Sequence, residues 1–282
     1  MKQEKSPQFS RRKFITLASS PALTGLFHLA AQAKPPFVEK TNVFVAETNG
    51  YALYRIPGLV VTKRGSVLAW CEARKRAGSD WGTTDIQVRR STDGGKTFDA
   101  SRTIANVAGP KQKNPVALAQ NLANNDEVAY NNPVMIADSN GAVHFLFCLE
   151  YMRCFYARST DDGKTFSTPV EITATFDQFR SEYDWKVLAT GPGHGLQLKN
   201  GRLVVPVWLS TGTGGHAHRP SVNATIYSDD HGQTWKRGDV VIPNTPEWIN
   251  PSEAVAVQLT DSRVMFNSRC ESKPNRRLIA YS

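Results

Sequence analysis

Three stretches of the chain share one pattern, Ser-x-Asp-x-Gly-x-Thr-aromatic, and this pattern decides the fold. They read Ser91-Thr92-Asp93-Gly94-Gly95-Lys96-Thr97-Phe98, Ser159-Thr160-Asp161-Asp162-Gly163-Lys164-Thr165-Phe166 and Ser228-Asp229-Asp230-His231-Gly232-Gln233-Thr234-Trp235. The Asp side chain accepts hydrogen bonds from the backbone of a turn, and Gly adopts a conformation that other residues resist. Each copy follows strand-like residues. We call each copy a box and predict that it forms the turn of a β-hairpin.

The boxes recur at a regular distance. They begin at residues 91, 159 and 228, so the steps are 68 and 69 residues, and the segment 278–282 begins a fourth copy 54 residues later. Strand-rich repeats of about fifty residues are typical of propeller blades. The spacing therefore predicts a β-propeller, and we assign the boxes a structural role.

A second series of hairpins lies between the boxes. Apolar runs surround short turns rich in Gly, Asn and Asp, as expected for antiparallel strand pairs. The turns are at 63–65, 138–141, 199–201 and 261–262. Each repeat therefore predicts a four-stranded blade, and no long amphipathic helix is expected after residue 33.

The first 33 residues have the features of an export signal. Ser10-Arg11-Arg12-Lys13-Phe14-Ile15 resembles the twin-arginine signal, a weakly apolar stretch follows from 14 to 30, and Ala31-Gln32-Ala33 offers a small-residue cleavage site. We expect residues 1–33 to be a twin-arginine signal and 34–282 to be the mature domain, which would be periplasmic or secreted. A basic tail or membrane anchor is the alternative. No segment of 34–282 is apolar for the length of a membrane span.

Composition narrows the possible partners. The formal charge is +9, of which the first 33 residues carry +4, and no basic helix or nucleic-acid motif is present. The sequence predicts no nucleic-acid partner, no metal and no organic cofactor. Its four cysteines allow three pairings, and the sequence does not choose among them.

Further motifs resemble those of the bacterial sialidase (neuraminidase) family. They are Arg55-Ile56-Pro57, Gly78-Ser79-Asp80, Asn132-Pro133, Gly191-Pro192-Gly193-His194-Gly195 and Asn267-Ser268-Arg269. The resemblance runs through the whole region after residue 33. It implies an all-β, six-bladed propeller of sialidase type, of which about four blades are present in 34–282.

The resemblance also implies roles for individual residues. Arg55 and Arg269 match arginines that hold the carboxylate of sialic acid, which suits the bidentate geometry of guanidinium groups. Asp80 matches the general acid/base, with Asp85 as a rival. Arg74 matches an arginine that contacts a ring hydroxyl. Further candidates for the pocket are Asn132, His194, Tyr151 and Arg153.

Sialidases use a tyrosine as nucleophile, and Glu253 matches the glutamate that activates it. In the family, that tyrosine and a third clamp arginine follow the region that ends at Ser282. We therefore expect a C-terminally incomplete chain that is inactive by itself. The implied whole enzyme is an exo-α-sialidase that hydrolyses terminal sialosides of glycoproteins, glycolipids or oligosaccharides with retention. Alternatives are a non-catalytic sialic-acid-binding propeller, or a glycosidase for another nonulosonic acid or sugar.

Overall fold

The computed structural model of the protein describes residues 38–213, 215–273 and 275–282. The predicted export signal, residues 1–33, lies outside these ranges. One compact unit, Thr41–Ser282, contains every strand of the described ranges. Within these ranges, no helix is long and apolar enough to cross a membrane.

The first sheet has four antiparallel strands in the order β1-β2-β3-β4. They are β1 (Leu53–Val61), β2 (Val67–Arg74), β3 (Thr84–Ser91) and β4 (Arg102–Thr103). The predicted hairpin at 63–65 forms, with Val61 opposite Val67. Every residue of β2 is buried, as expected for a strand covered on both faces.

The second sheet repeats this order and gains one strand from further along the chain. Its four consecutive strands are β5 (Tyr130–Ala137), β6 (Val143–Leu149), β7 (Arg153–Ser159) and β8 (Val170–Glu171). A two-residue strand, β10 (Gly193–His194), pairs in parallel with β5. The two helices of the described ranges are short and lie in connections: α1 (Pro115–Ala119) precedes β5, and α2 (Thr173–Asp177) follows β8.

The third sheet has a divided first strand. One part, Val187–Thr190, pairs with Val207–Ser210 of the long second strand. The other part, Leu196–Gln197, pairs with Leu203–Val204 at the opposite end of that strand. The members are β9 (Val187–Thr190), β11 (Leu196–Gln197), β12 (Leu203–Ser210), β13 (Ser221–Ser228) and β14 (Lys236–Ile242). The residues that separate β9 from β11 include β10, so they join the second sheet to the third.

The fourth sheet has three strands in the described ranges: β15 (Ala254–Gln258), β16 (Val264–Ser268) and β17 (Leu278–Tyr281). The four described sheets confirm the all-β prediction and the propeller arrangement. The prediction of four strands per blade holds for the first sheet; β10 extends the second, and the first strand of the third is divided.

The boxes form the turns between the third and fourth strands of the first three sheets. In the second box, Asp161 accepts hydrogen bonds from Thr165 N at 2.9 Å and from Thr165 Oγ1 at 2.6 Å. The Ser159 hydroxyl accepts from Gly163 N at 2.9 Å. The same bonds recur in the other two boxes. These turn contacts explain the repeated sequence pattern.

The core lies between neighbouring sheets. One apolar cluster joins strands of the first and second sheets, including Trp70, Phe145 and Phe147. A second joins the second and third sheets and includes Leu146 and Val207. Sheets therefore pack face to face in sequence order, which brings their first strands to one shared region.

Candidate active site

Six of the seven predicted site residues line one cavity of about 240 Å³. They come from three of the four sheets and from the loops beside them. The six are Arg55, Arg74, Asp80, Asn132, Glu253 and Arg269. Among the described residues that line this pocket, four arginines face three carboxylates, Asp80, Glu253 and Glu271. Since Glu72 beside the pocket also pairs with Arg74, the guanidinium groups open to an anionic ligand are the exposed ones, Arg55 and Arg269.

Interrupted first strands deliver these side chains. β1 changes register between Arg55 and Gly58, and Ile56 has φ 55°. β5 changes register between Asn131 and Val134, and Asn132 has φ 51°. In both strands a proline follows the left-handed residue, and proline has no N–H to continue the ladder. The resulting bulges turn residues of each first strand toward the pocket.

Arg74 lines the pocket and bridges two carboxylates, those of Glu72 and Asp80. Its Nη2 and Nε donate to Glu72 Oε2 at 2.6 and 3.0 Å, and its Nη1 donates to Asp80 Oδ1 at 2.7 Å. Arg74 and Glu72 are both buried. Glu72 Oε1 also accepts from the backbone N–H of Asn132 at 2.8 Å. Arg74 is therefore fully engaged by Glu72 and Asp80, and its side chain is 3% exposed.

The Asp80 carboxylate is partly exposed to solvent and contacts the buried guanidinium of Arg74. Burial raises the pKa of its carboxyl, but the charge and hydrogen bond of Arg74 outweigh this effect and leave the pKa below its ordinary value. Arg55 Nη1 lies 3.6 Å from the same oxygen. The rival candidate, Asp85, does not line the pocket; it accepts a hydrogen bond from the Tyr51 hydroxyl at 2.7 Å.

Two further arginine–carboxylate pairs lie on the side of the pocket formed by the third and fourth sheets. Arg269 Nη1 donates to Glu253 Oε2 at 3.1 Å. Arg219 Nε donates to Glu271 Oε1 at 2.8 Å, and Asn250 donates to Glu271 Oε2 at 2.7 Å. Arg55 and Arg269 have half-exposed side chains, 52% and 55%. These two guanidinium groups are available to an incoming anion.

Aromatic rings form a wall between the loops. Trp81 packs on Tyr151 with ring centroids 4.7 Å apart, and His218 packs on Tyr151 and Trp208 at 4.9 and 5.2 Å. Burial lowers the pKa of His218 to about 4, although Asp80 acts in the opposite direction. The imidazole of His218 is therefore neutral at neutral pH and does not compete with the arginines for an anion.

The other three candidates from the sequence, His194, Tyr151 and Arg153, differ in their position relative to the pocket. His194 does not line the pocket: it sits on β10, opposite Met135, and is exposed. The glycine-rich segment that contains it forms the short parallel strand paired with β5. Tyr151 lines the pocket as part of its wall. Arg153 lies outside it and pairs with Glu171 at 2.7 Å.

Sequence reasoning missed several residues of the site. His218, Arg219 and Glu271 line the pocket but received no role from the sequence, and Glu72, which belongs to the family-like segment Glu72-Ala73-Arg74, was not recognised as the partner of Arg74. The one available signal for the others is His216-Ala217-His218-Arg219, whose three polar side chains all line the pocket. In the described ranges, no three His, Cys, Asp or Glu side chains are grouped as metal ligands.

The arrangement supports acid–base chemistry beside an anion. Asp80 presents a half-exposed carboxylate next to two cations, and Glu253 presents a second carboxylate beside Arg269. A carboxyl group that can exchange a proton with a departing oxygen suits glycoside hydrolysis. Two exposed guanidinium groups can hold the carboxylate of a substrate at the same time.

Known proteins resemble this chain in sequence and in fold. A sialidase of Bacteroides fragilis is 31% identical over 232 residues, which cover 77% of this chain and 40% of the relative. A sialidase of Micromonospora viridifaciens is 27% identical over 276 residues, covering 88% and 37%. The chain thus spans about two fifths of the length of these curated relatives.

Solved structures of sialidases share the fold. The Hadza microbial sialidase Hz136 superposes with a TM-score of 0.63 at 24% identity, covering 83% of this chain and 45% of that one. A Trypanosoma rangeli sialidase in complex with the inhibitor DANA gives a TM-score of 0.59 at 21% identity, covering 81% and 36%. The BNR repeat-like domain model matches residues 65–282. The chain therefore belongs to the BNR repeat-like family of β-propeller proteins.

Proposed function

We propose that this chain carries the acid–base and carboxylate-binding part of an exo-α-sialidase that acts with retention of configuration. The observation that carries the proposal is the convergence of Arg55, Asp80, Glu253 and Arg269 on one pocket. These residues come from both ends of the described sequence. Their grouping fits the roles that the resemblance implies, and the sialidase relatives support the general activity.

The carboxylate of the sugar binds to Arg55 and Arg269 in this proposal. Both guanidinium groups are half exposed, so they are able to exchange their present carboxylate contacts for those of a ligand. Asp80 protonates the departing glycosidic oxygen. Its low pKa makes it ionised in the free protein, so a bound substrate must supply the negative environment that favours the protonated form.

Glu253 serves as the base for a tyrosine nucleophile. One tyrosine, Tyr151, is among the described residues that line the pocket. It is buried, and burial raises its pKa well above the ordinary value, so it is a poor nucleophile. We propose that the nucleophile and a third clamp arginine belong to sequence outside these 282 residues, in a part that corresponds to the remaining length of the relatives.

The proposed substrates are terminal sialosides of glycoproteins, glycolipids or oligosaccharides. We further propose that the twin-arginine signal exports the protein, which would give it access to such glycans in the periplasm or outside the cell. Fractionation of cells that express the protein, with and without Arg11→Lys and Arg12→Lys, tests this route.

Release of a fluorescent aglycone from an α-sialoside tests the activity. We expect the 282-residue chain to bind the sugar with no useful turnover, and a polypeptide extended by the matching C-terminal region to hydrolyse it. A panel of N-acetylneuraminic acid, deaminated sialic acid and uncharged glycosides tests the substrate class. Equal activity on uncharged sugars would contradict the assigned roles of Arg55 and Arg269.

A binding-only propeller is the second candidate. The observation that favours it is the state of Tyr151, since no other tyrosine lines the pocket among the described residues. An extended polypeptide that binds sialosides but releases no aglycone would support this alternative.

A further inference from the structure

A completely buried ion pair lies beside the loop that carries Asp80. Lys113 Nζ is 3.0 Å from Glu150 Oε1 and 2.9 Å from Glu150 Oε2. The two side chains are 1% and 0% exposed. Glu150 Oε1 also accepts from the backbone N–H of Ala129 at 2.6 Å. Neither residue of the pair belongs to the predicted catalytic machinery.

The ammonium group has one further acceptor. Lys113 Nζ donates to the backbone carbonyl of Trp81 at 3.0 Å, and Trp81 is the residue that follows Asp80. The other end of this loop is tied by the Ser79 hydroxyl, which accepts from Trp81 N and Gly82 N at 3.1 Å each. Lys113 thus holds the Trp81 carbonyl of this short turn. The Ser79 hydroxyl holds the N–H groups of Trp81 and Gly82 in the same turn.

Glu150, the carboxylate partner of Lys113, lies in a turn that also positions the side chain of Trp81. Glu150 and Tyr151 occupy the turn between β6 and β7 with φ 56° and 49°, a backbone conformation that non-glycine residues rarely adopt. This turn places the Tyr151 ring against the Trp81 ring at 4.7 Å. Asn114, next to Lys113, donates to the Tyr151 carbonyl at 3.4 Å. One cluster therefore fixes both the backbone and the side chain of Trp81.

Stability alone does not account for this arrangement. Two buried charges lose their hydration, and a well-packed apolar pair often stabilises a fold equally well or better. An apolar pair cannot direct a hydrogen bond to a chosen carbonyl. The property that distinguishes Lys113–Glu150 is directional: the carboxylate orients the ammonium, and the ammonium holds the Trp81 carbonyl.

We propose that Lys113 is a positioning residue, with Glu150 as its counter-charge, and that it holds the loop of residues 79–82, and with it the Asp80 carboxylate against Arg74. The functional meaning of this inference rests on the proposed role of Asp80. The ion pair acts on the site through the Trp81 backbone and touches no reacting atom.

The test compares two variants that differ only at residue 113. Glu150→Gln removes the charge but keeps an acceptor for Ala129 N–H, and Lys113 remains to hold the Trp81 carbonyl. Lys113→Met combined with Glu150→Gln removes that contact without leaving a buried unpaired charge. The readouts are the pKa of Asp80, from a ¹³C NMR titration of its carboxyl carbon, and amide hydrogen exchange of residues 79–82.

We expect Glu150→Gln to lower the melting temperature, because it leaves the Lys113 ammonium buried without its counter-charge. Both readouts should nevertheless stay closer to those of the unmodified protein than in the double variant, since Lys113 still donates to the Trp81 carbonyl. In the double variant the loop loosens from Arg74, so the pKa of Asp80 should rise toward the ordinary value of about 3.9. Exchange of the loop amides should become about tenfold faster, because local opening costs less free energy. A folded double variant with an unchanged Asp80 pKa and unchanged exchange would overturn the proposal.

Arg90→Met with Asp162→Asn is the matched control, since it removes another largely buried ion pair, and that pair lies outside the pocket. We expect this control to lower the melting temperature and leave the Asp80 pKa unchanged; an equal pKa change would show general loosening and refute a positioning role.

If the Lys113→Met double variant does not fold, Lys113→Gln with Glu150→Gln replaces it. That side chain is too short to reach the Trp81 carbonyl, so the same two outcomes decide. No readout needs a ligand, so failure of the proposed function, seen as no sialoside binding, is distinguishable.

Discussion

The arginines of the pocket divide into two kinds by exposure. Arg74 is buried and spends its donors on Glu72, Asp80 and the Ser79 carbonyl. Burial lowers the pKa of Arg74, but the neighbouring carboxylates outweigh this and raise it, so the group is always charged. Arg55 and Arg269 are half exposed and each has a single carboxylate contact. Arg74 therefore builds the site, Arg219 is held by its two hydrogen bonds to Glu271, and Arg55 and Arg269 are available to bind ligand.

The buried status of Arg74 gives a stability prediction. Arg74→Met leaves the Glu72 carboxylate buried without its partner, which should lower the free energy of unfolding by about 3–5 kcal/mol. Arg74→Met with Glu72→Leu removes both charges and should restore most of the loss. Urea unfolding measures both variants. A double variant as unstable as the single one would show that lost packing, and not the unpaired charge, is responsible.

Asp80 gives a prediction about chemistry. In an extended polypeptide with turnover, Asp80→Ala should reduce kcat/KM about 10²–10⁴-fold on natural glycans, because general-acid assistance has that size. Substrates with acidic aglycones need less assistance and should lose much less. Steady-state rates on both substrate types decide, and equal losses would remove Asp80 from the general-acid role.

At the scale of the strand, an X-Pro step interrupts or precedes the first strand of each described sheet. The residue before proline has φ 55° at Ile56, 51° at Asn132, 39° at Gly191 and 49° at Asn250. Four repeats place a residue with positive φ before a proline at the end of the blade nearest the pocket, and each such step places residues in the pocket or beside it. The boxes at the other turns keep their regular hydrogen bonds, and two of them also contain a non-glycine residue with positive φ, Asp162 at 67° and His231 at 57°.

The box carboxylates predict a specific acid sensitivity. Burial raises the pKa of Asp161 slightly, but bonds from Thr165 and Ser159 outweigh this and lower it to about 2. A lowered folded-state pKa means that Asp161 stabilises the fold above the pKa of the unfolded chain, and that this stabilisation disappears as pH falls to about 2. Because the turn is solvated, we expect only about 1 kcal/mol.

Asp161→Asn tests this, since it removes the charge and keeps one acceptor. Its deficit in free energy of unfolding should be present at neutral pH and vanish as the pH approaches that of Asp161 protonation. Urea titrations at a series of pH values measure it. A deficit that is independent of pH would mean that shape, and not charge, matters at this turn.

At the scale of the whole molecule, the second and third boxes also pack their blades against the preceding ones. Asp162 accepts from Ser66 Oγ of the first sheet at 2.6 Å and pairs with Arg90. Gly163 lies so close to the first sheet that an added Cβ would sit 2.5 Å from Leu68 Cδ1. In the third box, Gly232 approaches Tyr156 and His144 of the second sheet in the same way. The blades are therefore interlocked through their repeated turns.

Two glycines at the same box position measure this interlock. Gly163 and Gly95 have φ 76° and 89°, but a Cβ on Gly95 would have no heavy atom within 4 Å. Gly95→Ala should cost about 1 kcal/mol, the backbone strain alone. Gly163→Ala adds overpacking against Leu68, about 1–3 kcal/mol more. Equal losses on thermal unfolding would contradict packing between the blades at this position.

Local signals and distant contacts explain what the sequence could predict. The boxes and hairpins were predictable because a turn depends on neighbouring residues, and Arg55 and Asp80 because their motifs are short and specific. His194 lies outside the pocket lining, on a two-residue parallel strand, and such a strand has no sequence signature. The contact of Lys113 with Glu150 joins residues 37 apart in different loops, so no local pattern announces it.

Calorimetric titration of the 282-residue chain with the sialidase inhibitor DANA tests most directly whether this pocket binds sialic acid. We predict binding that weakens about 10- to 100-fold in Arg55→Met and in Arg269→Met, the loss expected for a charge-assisted hydrogen bond. Arg153→Met, outside the pocket, should leave the affinity unchanged. Absence of binding, or binding that survives both pocket substitutions, would contradict the account.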